Sequence, residues 1–249
     1  SGDGLPLMRR AVTCAAMLAL GLASARPARA QAADVPVRAA APDSAIVPSL
    51  VRTATRARDD IAAWAGAPMP HRFTIRVFPS REGFPAPDCR SVAVADTSGI
   101  ALLAPRLWAG ERCGRDGSDT AAVARAVRRA VVQVYHSQVN PAYGSLDPTD
   151  LGWFVEGVAT FASGGLRGAG MAQVRRRLES GYPIATLREV LAGPLGTDGA
   201  ASVVAYVDHQ WGRATLAHLL RATTLAGLLA MLGRSEQELL GGWQAWMLE

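Results

Sequence analysis

The stretch DLGWFVEGVATFASG, residues 150–164, decides how the rest of the chain is read. Small and apolar residues fill it at a spacing that suits a helix, and a single carboxylate, Glu156, sits among them beside Trp153 and Phe154. A carboxylate on so apolar a segment is satisfied in one of two ways. It caps a backbone or faces water, or it meets a cation, because an isolated charge away from water is costly. The choice between them depends on what the neighbouring segments bring.

The segment before it, SDTAAVARAVRRAVVQVYHSQ, predicts a long helix through about residue 138, with Ser118 or Asp119 as the cap and an apolar stripe of Val123, Val127, Ala130, Val131, Val134 and Tyr135. The loop NPAYGSLDP joins the two helices. Further upstream, residues 44–65 carry helical apolar spacing (Ile46, Leu50, Val51, Ala54, Ile61, Trp64), stopped by Gly66 and by prolines at 68 and 70. RFTIRVFPS, residues 72–80, alternates with Phe73, Ile75 and Val77 on one face, which predicts a half-buried strand. SVAVADTSGIALLAP, residues 91–105, reads as two short strands about a turn at 96–99. Downstream, helices are expected near 168–180, 186–193, 199–211, 213–222, 224–232 and 235–248. A helix and a small sheet followed by helices alone is an α+β arrangement.

The N-terminal residues read differently. Met8–Ala30 has two arginines, an apolar run too short to span a bilayer, and Ala28-Arg29-Ala30 as a cleavage site, the three parts of a secretory signal. Residues 1–30 are therefore expected to be upstream residues and signal peptide. Residues 31–44 read as a flexible Ala/Pro-rich linker, and residues 45–249 as one domain. That division predicts a secreted or periplasmic protein with no membrane span after cleavage. An oxidising compartment would let Cys89 and Cys113 form a disulfide, the alternative being two buried thiols; their loop-like surroundings favour the bridge. The chain of 249 residues carries 26 basic and 21 acidic groups, and every basic residue is arginine. Residues 1–30 hold four of those arginines and one aspartate, so the remainder is +2, too small a charge for a nucleic-acid footprint. The run Arg175-Arg176-Arg177 is read as a solvated helix face.

With GWFVEGVATFASG following that helix, the order of elements resembles the peptidase MA-like branch of the gluzincin metallopeptidases. The strands RFTIRVFPS and SGIALLAP, the helix pair in AYVDHQWGRATLAHLLRA and the closing LGRSEQELLGGWQAWM fall in the order that family shows, over roughly residues 45–249. The resemblance implies a gluzincin-like fold, with an N-terminal helix and small mixed sheet followed by a mostly helical C-terminal part. It also implies a zinc site: two histidines four residues apart on one helix, a glutamate general base after the first, and a third ligand from the next helix. Glu156 matches that third ligand.

The rest of the metal motif is absent. Setting VYH (134–136) against the residues that follow HExxH places the motif on Arg129-Ala130-Val131-Val132-Gln133. Arg129 then replaces the first histidine, Ala130 the base and Gln133 the second histidine. The expectation is a degenerate member, a pseudoenzyme without zinc, whose positions Arg129, Ala130, Gln133 and Glu156 mark the former site. Arg129 is expected to fill the vacated metal position and pair with Glu156, with Gln133 donating a further hydrogen bond. Its function would be to bind peptide or protein, or to act as a scaffold, using an edge strand to take an extended segment. The alternative is an active metal-dependent peptidase or hydrolase holding zinc through unusual ligands, with His136, Glu156 and His209 as the weak candidate set. Thr197 falls near the position where relatives carry a transition-state tyrosine.

Other chemistry finds little footing. No G-x-S-x-G occurs, and Asp208 and His209, adjacent on a helix, point to different faces. The glycines of SGGLRGAG follow no strand and precede no Lys-Ser/Thr. Asp147, Asp150 and Glu156 do not have the spacing of a calcium loop. Trp243 and Trp246 are expected to pack in the core.

Overall fold

The computed structural model describes residues 33–86, 91–109 and 116–249, of which Asp34–Glu249 forms one compact unit. The signal-peptide and cysteine readings fall on residues outside those described.

The unit is α+β. Its strands are β1 (Val37–Arg38), β2 (Thr74–Phe78), β3 (Ala93–Ala95) and β4 (Gly99–Leu103). They form a mixed sheet in the order β1-β2-β4-β3, with β1, β2 and β4 parallel and β3 antiparallel on the edge. The helices are α1 (Val47–Ala65), α2 (Thr120–Val139), α3 (Pro148–Ala162), α4 (Gly168–Glu179), α5 (Leu187–Ala192), α6 (Gly196–Leu219), α7 (Leu225–Leu232) and α8 (Glu236–Leu248). No helix among the described residues is long and apolar enough to cross a membrane.

Alternation in β2 does what its pattern predicts: Ile75 and Val77 are buried while Thr74 and Arg76 face out. The β3–β4 turn closes on Asp96, whose Oδ1 accepts from the Ser98 and Gly99 backbone N–H groups at 2.7 and 3.0 Å. Helix α2 starts where Asp119 accepts from the Ala121 N–H, and Val127, Val131 and Val134 bury its stripe. It packs against α1, against β3 and β4, and against α3.

The segment expected to be a flexible linker is partly built into the fold. Val37 and Arg38 pair with Ile75 and Arg76. Val35 is buried, and Asp43, 4% exposed, receives Arg106 Nε at 2.9 Å. The Ala/Pro composition of 31–44 hid this. A two-residue strand has no period to detect, and its place was fixed by a distant partner.

Helix α6 is two helices divided at Gly212, whose φ of 80° and ψ of 165° only glycine adopts readily. The break is spanned by an ion pair, with Arg213 Nε and Nη2 each 2.6 Å from an Asp208 carboxylate oxygen. The Arg213 guanidinium also lies over the rings of Trp64 and Phe161, 4.8 and 5.7 Å from their centroids. The first half of α6 therefore runs along α3, while the second carries Leu220 to the C-terminal end of α2.

Candidate functional site

Glu156 sits in the third turn of α3, which opens with Asp147 accepting from the Thr149 N–H and Pro148 at its first position. The face holding Leu151, Trp153, Phe154, Gly157 and Val158 is buried, and Gly157 lies hard against the Ala200 carbonyl of α6. This packing turns Glu156 toward α2, where its carboxylate forms an ion pair with Arg129. The side chains are 33% and 29% exposed, so the pair is partly wetted rather than interior. Ala130, 1% exposed, is packed into the core. Gln133, one turn beyond Arg129, is half-buried.

Tyr143, in the short 3-10 turn 143–145 between α2 and α3, was not singled out in the sequence because its loop, NPAYGSLDP, has no period. Its ring meets His136 edge-on at 4.9 Å between centroids. Burial pushes the phenol up to about 12, while the nearby Arg129 charge pulls against that rise. The hydroxyl is accordingly a neutral donor at physiological pH.

His136 is 2% exposed, edge-on to Tyr143 and Phe154. Its Nε2 donates to the Leu220 carbonyl at 2.9 Å, which assigns the proton to that nitrogen. Burial drives its pKa down to about 4, against a smaller opposing effect of the Leu220 bond. Asn140, one turn on, donates to the Leu220 and Ala222 carbonyls at 3.0 and 2.9 Å. His136 thus belongs to a latch between α2 and the turn after α6.

The alternative zinc set of His136, Glu156 and His209 is not assembled. Among the described residues no three His, Cys, Asp or Glu side chains come together in a way that would hold a metal ion. His136 is committed to Leu220 and Glu156 to Arg129, and His209 is exposed, its ring stacked on Trp246 at 5.7 Å. Thr197 is exposed in the first turn of α6. Trp243 is buried and donates to Ser202 Oγ at 3.0 Å, as a core residue would. Trp246 is half-buried and lines a cavity of about 370 Å³ with Met171, Ala172, Arg175, Met247 and Glu249, on a face formed by α4 and α8.

Comparison of the chain with family models, with curated proteins and with solved structures finds no match.

Proposed function

We propose that this chain is an exported, gluzincin-like pseudoenzyme that binds peptide or protein, its zinc position taken by the Arg129–Glu156 pair. That ion pair carries the proposal. A guanidinium supplies Glu156 with the positive charge a metal would otherwise provide, and it does so with directed hydrogen bonds. Ala130 has no group able to accept a proton from water, and its burial leaves little space for one. The edge strand β3, packed against α2, offers main-chain groups along one side for strand addition.

Metal analysis of the purified protein tests the proposal together with a peptidase assay. The expected result is substoichiometric zinc and no chelator-sensitive hydrolysis. One zinc per chain with activity abolished by a chelator and restored by zinc would establish the hydrolase alternative instead.

A further inference from the structure

The cavity between α4 and α8 has walls that are already fixed in place. Met171, Ala172 and Arg175 line it from one face of α4, and Trp246, Met247 and Glu249 from the end of α8. The Trp246 indole is packed against the His209 ring, stacked at 5.7 Å, and against the Tyr206 ring, tilted at 5.7 Å. Met247 is buried, while Met171 and Ala172 are half-buried at the rim. Arg175 is held at two points: its Nε donates to Glu179 Oε1 at 3.0 Å and its Nη2 to the Leu248 carbonyl at 2.9 Å. The same side chain is 45% exposed, so a ligand in the cavity can reach its guanidinium. Those two bonds leave further N–H groups of the fork for a second acceptor.

We propose that this cavity binds a small aromatic carboxylate, with its ring against Trp246, Met171 and Met247 and its carboxylate on Arg175. A volume of about 370 Å³ lies at the low end of small-molecule sites, which run from about 300 to 1,000 Å³. An indole and two thioethers favour a flat ring, through offset or edge contacts and through sulfur–aromatic contacts. Charge complementarity selects the anion. Arg175, Arg176 and Arg177 lie on consecutive exposed positions of α4 and outnumber the nearby carboxylates of Glu179 and Glu249, so this wall is positive. A guanidinium already oriented by two bonds receives a carboxylate with little further ordering. None of the lining residues belongs to the Arg129–Glu156 pair, so the site stands or falls apart from the peptide-binding reading.

Calorimetric titration of the whole chain at neutral pH with cinnamate, cinnamamide and cinnamylamine tests this, since the three share a ring and differ in charge. Cinnamate is expected to bind most tightly, with affinity falling as salt rises. Arg175→Gln is expected to weaken cinnamate about tenfold and to leave cinnamamide unaltered. Ala172→Phe, which fills the cavity, is expected to abolish binding of both. Equal binding of cinnamate and cinnamamide overturns the carboxylate assignment. Tighter binding of cinnamylamine overturns it in favour of a cation held by Glu249. Heat from none of the three overturns the site, and so does cinnamate binding that survives both substitutions. If either variant does not fold, the methionine methyl resonances of the wild type replace it. Shifts confined to Met171 and Met247 on adding cinnamate, with Met69 and Met231 unmoved, support the site, and unmoved Met171 and Met247 resonances overturn it.

Discussion

At the scale of single residues, Glu156 shows how position changes what an ion pair is worth. An interior pair broken from one side costs about 3–5 kcal/mol, because a lone charge is stranded without water. Glu156 and Arg129 are each about a third exposed, so water screens the pair and rehydrates whichever partner is left. Glu156→Ala is therefore expected to lower stability by about 1 kcal/mol, read as a denaturant midpoint at low salt, and by less in high salt. An unchanged midpoint at low salt would show that the contact contributes nothing. The acid was legible in the sequence because it interrupts an apolar helix, and Arg129 because it is a charged residue on the helix that precedes it. Tyr143 was not, since nothing in a loop sequence says which ring folds over a neighbouring helix.

At the scale of elements, the helices were the most legible part. Their apolar periods and caps are local, and a break in α6 between 211 and 213 was expected from the sequence. The conformation that makes the break is a tertiary result. Gly212→Ala would force a side chain into a backbone region that disfavours it, at a cost of about 1–3 kcal/mol in stability. Loss of near-native stability in that variant supports the break as fixed; a midpoint equal to wild type would mean α6 runs on without it. The α3–α6 crossing depends on Gly157, where an added Cβ would meet the Ala200 carbonyl at 2.6 Å and Val204 Cγ2 at 2.9 Å. Gly157→Ala must push the helices apart and is expected to destabilise by about 1–3 kcal/mol. Since Glu156 is the adjacent residue, the same variant is expected to weaken its contact with Arg129, so that adding Glu156→Ala to it costs less than Glu156→Ala alone. Additive losses in the double variant would separate the crossing from the pair.

At the scale of the whole molecule, His136 ties stability to pH. An unfolded histidine titrates near 6.5, whereas in the folded chain burial holds it at about 4. Between those values the unfolded state binds a proton that the folded state refuses, so stability falls as pH drops through this window. The loss is about 2 kcal/mol by pH 5 and about 3 kcal/mol once both states are protonated. His136→Gln, which keeps a donor for the Leu220 carbonyl and does not titrate, is expected to flatten the stability profile between pH 7 and 4.5. A variant with the same slope as wild type would place the acid sensitivity elsewhere. The latch reaches across the unit, because His136 and Asn140 on α2 hold carbonyls 80 or more residues along the chain.

By itself the sequence determined the α+β order, the strand alternation, the helix spans and the suspicion that Arg129 and Glu156 belong together. Each follows from period, capping or residue type, which act over a few neighbours. Only the tertiary structure decided that Val37–Arg38 joins the sheet, that Ala130 is sealed in the core and that His136 is spent on a backbone carbonyl. It also left His209 exposed, its ring stacked on Trp246. Those outcomes depend on which distant surfaces are buried together, and burial, unlike periodicity, is a property of the folded whole.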